Sequence, residues 1–353
     1  MYMEKTDVNN NVHQNILKRT AKDFASNQEV KWCPGCGDYA ILAQIQKVLA
    51  ELNKKPEDIV FVSGIGCSSR FTYYMNTYGI HGIHGRPIAI ATGLKIARPE
   101  LDVWVITGDG DCLSIGGNHF IHGLRRNIDI NIIMFNNRIY ALTKGQYSPT
   151  SEQNKITYSS PYGSIDYPIN PIALALGSEA TFVARTIDRN LSHMNEIFKK
   201  ANEHKGASFV EVYQNCKIFN DEAFAVYTEK GQKESHTLYL QEGKPLVFGE
   251  NNEWGIILDK MQPKIVHLKQ DSVSIENLWI HDIKDKTKAF ILSQFSMPGD
   301  KEHFPSPMGV FFSEDKPSYE QMVIEKIEIV KQKRKPPSIN KILAGSQTFS
   351  YEE

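Results

Sequence analysis

The feature that most constrains this chain is an alternation of helix-like and strand-like segments running from Trp32 to about Gln214. Asp38–Leu52 carries apolar residues at helical spacing (Ile41, Leu42, Ile45, Val48, Leu49, Leu52). Ile59–Ser63 is a short buried strand stopped by Gly64. Helical segments are then expected at Pro87–Ala97, Gly117–Arg126, Pro171–Leu176 and Leu191–His204, with strands at Asp102–Thr107, Ile130–Asn136, Thr181–Thr186 and Ser208–Tyr213. Such alternation predicts an α/β fold, a mostly parallel sheet with helices on both faces. Ligands of these folds bind at the carboxyl ends of the strands. Four expected strand ends carry Gly64-Ile65-Gly66-Cys67-Ser68, Gly108-Asp109-Gly110-Asp111, Asn136-Asn137 and Gln214-Asn215-Cys216. Glycine, cysteine and polar residues thus gather where a site would form.

Around this region the sequence is less regular. Residues 1–30 read as an arm or partner-contacting extension. Beyond about residue 225 the alternation fades and prolines scatter, so 226–353 is expected to be an irregular C-terminal extension to the 31–225 domain. The net charge of −1 offers no basic field for bulk nucleic-acid binding. No apolar run approaches the roughly 20 residues that cross a bilayer. The polar N-terminal stretch does not read as a signal peptide. A cytoplasmic protein is therefore expected, with no nucleic-acid or membrane partner.

Asp109 lies directly after one strand and Asn137 directly after the next, 28 positions later. The two glycines allow backbone to approach a phosphate, and a following helix start adds N–H donors. Asp109 and Asn137 offer hard oxygen ligands suited to Mg²⁺. Gly-Asp-Gly alone is also a good turn former; its spacing from Asn137 and its strand context give the pair its weight.

Of the five cysteines, Cys33 and Cys36 flank Pro34-Gly35, while Cys67 and Cys216 each follow a strand. Four thiolates from three loops at one sheet edge suit a [4Fe–4S] cluster or a zinc ion, and the C-x-x-C could equally be a redox pair. Cys112 reads as a small buried side chain beside the phosphate loop.

The Gly-Asp-Gly…Asn-Asn pattern resembles the pyrophosphate–Mg²⁺ motif of thiamine diphosphate (TPP) enzymes. The runs Trp32-Cys33-Pro34-Gly35-Cys36-Gly37, Gly64-Ile65-Gly66-Cys67-Ser68-Ser69, His84-Gly85-Arg86 and Ala141-Leu142-Thr143-Lys144-Gly145-Gln146 are similar to those of 2-oxoacid:ferredoxin oxidoreductase β subunits, in the same order. The resemblance covers about residues 28–225 and implies a TPP-binding fold. It implies Asp109, Asn137 and the Ile139 carbonyl as Mg²⁺ ligands, and Cys33, Cys36, Cys67 and Cys216 as ligands of a [4Fe–4S] cluster. Ile65, Gly66, Cys67, Ser68, His84, Gly108, Gly110, Asp111, Asn137 and Ile139 become cofactor contacts. Arg70, Leu142 and Lys144 become candidates for the substrate pocket. Related sequences often carry Lys where Arg70 stands, which bears on substrate preference because Arg offers a bidentate fork.

The activity implied is oxidative decarboxylation of a 2-oxoacid with coenzyme A. TPP serves as electron sink, and the cluster passes electrons to ferredoxin. TPP enzymes also need a glutamate that activates the aminopyrimidine. With a single alternating region, this chain is expected to take that glutamate from an α subunit carrying the pyrimidine-binding domain. Gly243–Gly249 and Gly145–Thr150 look like 2-oxoglutarate-type β subunits. Pyruvate or indolepyruvate as substrate, a non-redox TPP enzyme with zinc-bound or free cysteines, and a zinc-stabilised interaction subunit remain alternatives.

Overall fold

The computed structural model describes residues 18–297, 303–334 and 337–347, with 349 and 351. Eleven strands form among them: β1 (Ile59–Ser63), β2 (Tyr78–His81), β3 (Asp102–Gly108), β4 (Asn131–Asn136), β5 (Phe182–Ile187), β6 (Ser208–Tyr213), β7 (Thr237–Tyr239), β8 (Val247–Phe248), β9 (Trp254–Asp259), β10 (Gln262–His267) and β11 (Ser306–Ser313). Eight make one sheet in the order β2-β1-β3-β4-β6-β5-β11-β7. The first six in that order run parallel, and β11 joins β5 antiparallel.

Why these segments are strands follows from their side chains. β1, β4, β5 and β6 are buried along their whole length, as strands covered on both faces must be. Successive residues serve opposite faces. Ile59, Phe61, Trp104, Ile106, Ile133 and Phe135 pack under the helices Asp38–Glu51 and Leu191–Glu203. Val60, Val62, Val103, Val105, Ile132 and Met134 pack on the other face. Each fully buried aliphatic side chain of this kind contributes roughly 1.5–3 kcal/mol. Helix starts are set locally: Pro87 and Pro171 sit in first turns, and the Asn170 and Asn190 side chains accept from Ala173 N–H and His193 N–H.

Two expectations change. The stretch read as an irregular extension is largely regular. β11 and β7 extend the main sheet, and β8–β10 form a small antiparallel sheet. Pro307, Gly309 and a bulge between Val310 and Phe312 mask β11 in the sequence. Of the expected arm, 1–17 lies outside the described residues. Residues 18–30 are mostly exposed but anchored: Phe24 is fully buried, and Ser26 N–H donates to the Tyr74 carbonyl at 3.1 Å.

The topology also places a crevice. From β1 the chain moves to β2 on one side, then returns to β3 on the other. Loops leaving the carboxyl ends of β1 and β3 therefore diverge, and the gap between them is where such sheets bind ligands.

Candidate active site

Asp111 organises this crevice. Its Oδ1 accepts from Ile65 N–H (3.2 Å), His84 Nδ1 (2.6 Å) and Gly85 N–H (2.7 Å), while Oδ2 accepts from the Thr107 hydroxyl (2.7 Å). One buried carboxylate thus ties together the loops after β1, β2 and β3. Close approach demands glycines here. A Cβ on Gly64 would lie 2.0 Å from the Asp111 carboxylate, and one on Gly110 would lie 2.1 Å from the Tyr140 ring. Asp111 was expected to touch the cofactor. It lines the cavity, but both its oxygens already serve this framework.

Asp109 opens a short helix after β3 and is 3% exposed. Its Oδ2 accepts from the Ser148 and Thr150 hydroxyls, each at 2.6 Å. Burial pushes its carboxyl up to about 6, against the pull of those two hydroxyls. Asn137 follows β4 and accepts Ile139 N–H through its own side chain at 3.2 Å. Its neighbour Asn136 is turned into the protein, donating to Glu211 Oε1 at 2.7 Å.

These groups line a cavity of about 220 Å³, which includes Ile65, Gly66, Ser68, His84, Gly108, Asp109, Gly110 and Ile139. A second cavity, about 170 Å³, is lined by Cys33, Cys36, Cys67 and Cys216 together with Arg70 and Lys144. Cys67, Asn137, Ala141, Leu142 and Gln214 line both cavities. These five residues form a wall shared by the two cavities. Arg70 and Lys144 stand on the cysteine side, and Leu142 stands on the shared wall.

The thiols are held by packing. Trp32 Nε1 donates to the Cys67 carbonyl at 2.7 Å, and Gln214 Nε2 approaches Cys36 Sγ at 3.4 Å. Burial pushes the Cys67 thiol up to about 12, with Asp38 adding to the effect. Cys36 and Cys216 are raised as well, again chiefly by burial. Uncompensated thiolates are costly in such a place, and a bound metal centre supplies the missing positive charge. Among the described residues, no three His, Cys, Asp or Glu side chains converge closely enough to hold a single metal ion. Cys112 packs in the core on the far face of the sheet, as the sequence implied.

Several residues of the site escaped the sequence reading. Asp38 lines the first cavity at 1% exposure, with the Cys36 thiol set against its carboxylate. Burial lifts it to about 7. Its position directly after the C-x-x-C-G run was the available signal. Tyr140, whose hydroxyl donates to the Gly110 carbonyl at 3.2 Å, and the pair Ser148 and Thr150 had none beyond their run.

A parallel sheet with a Gly-Asp-Gly turn and an Asn-Asn turn closing on one cavity defines a TPP-binding domain. Residues 64–212 match the family model of the thiamine pyrophosphate enzyme C-terminal TPP-binding domain. The 2-oxoglutarate oxidoreductase subunit KorB of Mycobacterium tuberculosis is 47% identical over 94% of this chain and 88% of its own length. A 2-oxoacid:ferredoxin oxidoreductase β subunit of Saccharolobus solfataricus is 37% identical over 84% of this chain and 86% of its own. A chain of the 2-oxoglutarate:ferredoxin oxidoreductase of Magnetococcus marinus, solved with 2-oxoglutarate, coenzyme A and succinyl-CoA bound, superposes with a TM-score of 0.75 at 30% identity, covering 95% of this chain and 98% of that one. This chain belongs to the family of 2-oxoacid:ferredoxin oxidoreductase β subunits.

Proposed function

We propose that this chain is the β subunit of a 2-oxoglutarate:ferredoxin oxidoreductase, holding TPP–Mg²⁺ in one cavity and a [4Fe–4S] cluster in the next. The observation that carries this reading is the shared wall. A redox decarboxylase needs its electron acceptor beside its electron sink, and Cys67 belongs to both cavities. Asp109, the Asn137 side chain and the Ile139 carbonyl would hold Mg²⁺. Cys33, Cys36, Cys67 and Cys216 would hold the cluster. Four thiols lining one cavity suit a [4Fe–4S] cluster, and the family resemblance is what favours it over zinc.

When bound, TPP supplies the electron sink for decarboxylation and the cluster accepts electrons singly. The chain's own residues do the rest. His84, held by Asp111, lines the cofactor cavity, and Gly110 would let the backbone approach the diphosphate. Leu142, itself exposed, lines both cavities. Arg70 and Lys144 line the cysteine cavity and not the TPP cavity, so they would meet the distal carboxylate of a dianionic 2-oxoacid only where it reaches past the shared wall.

The substrate rests on the relatives named for 2-oxoglutarate. Among the described residues the carboxylates lining the TPP cavity are Asp38, Asp109 and Asp111. The activating glutamate is assigned to an α subunit, and ferredoxin and coenzyme A complete the reaction. No described helix is long and apolar enough to cross a membrane. Five unpaired cysteines fit a reducing cytoplasm. The test is an anaerobic assay of the complex co-purified with its α subunit against a panel of 2-oxoacids. Coenzyme A-dependent viologen reduction should be greatest with 2-oxoglutarate and absent for the chain alone. Preference for pyruvate or indolepyruvate, or turnover by the isolated chain, would contradict the reading.

A further inference from the structure

Beneath Asp109 lies a chain of buried polar side chains. Thr150, 5% exposed, places its hydroxyl 2.6 Å from Asp109 Oδ2 and 2.8 Å from Asn136 Oδ1. Asn136 Nδ2 donates to Glu211 Oε1 at 2.7 Å, and Glu211 Oε2 accepts from Arg185 Nε at 2.6 Å. Arg185 and Glu211 are each 1% exposed. Beyond Arg185 the next polar groups are the Ser306 hydroxyl and the Pro307 carbonyl of β11, both at 3.5 Å.

We propose that Thr150 is a positioning residue that makes Asp109 a one-oxygen ligand for a small, octahedral divalent cation, and that Asn136, Glu211 and Arg185 hold Thr150 in place. This deepens the assignment of Asp109 to Mg²⁺ and rests on it.

The direction of each bond follows from donor chemistry. Glu211, paired with Arg185, can only accept, so the Asn136 amide nitrogen must face it. The Asn136 oxygen then faces Thr150. The single Thr150 hydrogen lies between two acceptors, and the hydroxyl is pinned between them. Asp109 Oδ2 takes the Thr150 and Ser148 hydroxyls, and among the described residues no side chain donates to Oδ1. The carboxylate is thereby divided into one committed oxygen and one available oxygen. Mg²⁺ demands near-ideal octahedral geometry, whereas Ca²⁺ tolerates bidentate carboxylates and more ligands.

The relay also sets the second ligand loop. Asn136 Oδ1 accepts from Arg138 N–H at 3.2 Å, and the Ser151 hydroxyl donates to the Arg138 carbonyl at 2.6 Å. Arg138 stands between Asn137 and Ile139. Both ligand-bearing loops therefore meet at Asn136 and the Ser148–Ser151 turn, and their separation is fixed there.

The test uses the full complex with its α subunit, comparing wild type with Thr150→Val, Thr150→Ser and Ser148→Ala. TPP affinity is measured by calorimetry across Mg²⁺ and Ca²⁺ concentrations, with Tm and visible absorbance as controls for folding. Loss of a group that orients a metal ligand typically costs 10–100-fold in metal affinity. Thr150→Val should lose Mg²⁺ affinity in that range and narrow the preference for Mg²⁺ over Ca²⁺, with Thr150→Ser restoring both. Unchanged Mg²⁺ affinity in Thr150→Val, or an equal loss in Thr150→Ser, overturns the proposal. Should Thr150→Val fail to assemble, Ser148→Ala is read by the same measure, and full Mg²⁺ affinity and selectivity there overturns it. If wild type binds TPP without any divalent cation, the assignment of Asp109 to Mg²⁺ fails instead.

Discussion

His84 Nδ1 lies 2.6 Å from Asp111 Oδ1, and that contact joins the loop after β2 to the loop after β3 across the mouth of the cofactor cavity. The same oxygen holds the backbone of Ile65 and Gly85. Hydrogen bonds to a charged acceptor contribute about 1.5–3 kcal/mol each. Asp111→Asn removes the charge and turns an N–H₂ toward donors. TPP affinity should fall by roughly tenfold or more, since each 1.4 kcal/mol is a factor of ten. Titration of TPP into the assembled variant checks this, and wild-type affinity would refute the organising role.

The cysteines separate into four and one. Alanine at Cys33, Cys36, Cys67 or Cys216 should abolish or degrade the visible absorbance and lower the iron content of protein purified anaerobically. Cys112→Ala should keep both, because Cys112 packs in the core away from the thiol-lined cavity. Iron loss in Cys112→Ala, or full iron in a Cys216 variant, would reassign the ligands.

The Arg185–Glu211 pair is a liability if broken. Removing one partner of a buried pair costs about 3–5 kcal/mol. Glu211→Ala should therefore lower stability by that order in urea or thermal unfolding. Replacing both partners with apolar residues of similar volume should cost much less. Equal losses in the single and double variants would show that packing, not charge, dominates here.

Asp109 predicts a pH-dependent metal effect. Its carboxyl, raised to about 6 by burial, binds a proton more tightly when folded than when unfolded. Its contribution to the stability of the metal-free fold therefore declines as pH rises from about 4, the ordinary value, through 6. Mg²⁺ needs the ionised form and competes with that proton. The rise in Tm produced by Mg²⁺ and TPP should be small at pH 5 and reach its plateau above pH 7. A constant rise across this range would place the metal on another group.

The site was legible wherever chemistry and chain order coincide. Asp109, Asn137, Cys67 and Cys216 follow strands, and strand ends meet at one edge, so their convergence follows from the alternation itself. Ile59–Ser63 was legible as an almost continuous apolar run, and Ser208–Tyr213 from Phe209, Val210, Val212 and Tyr213 despite Glu211 among them. β2 was not, since all four of its residues are exposed. β11 was hidden by Pro307 and Gly309. Thr150, Asn136 and Glu211 were missed for a different reason. A polar residue in a run gives no sign of whether it faces water or a buried partner. Arg70 and Lys144 read as substrate-site cations, and only the folded chain places them on the cysteine side of the wall.

The proposed placing of a TPP cavity and a cluster cavity side by side in one chain is tested by electron paramagnetic resonance of the anaerobic complex, frozen after mixing with 2-oxoglutarate. The expected result is about four irons per β chain and a reduced-cluster signal that appears with substrate. An Asp109→Ala variant should keep the iron and give that signal with dithionite but not with 2-oxoglutarate. Zinc in place of iron, or a cluster signal indifferent to substrate in the wild-type complex, would contradict the account.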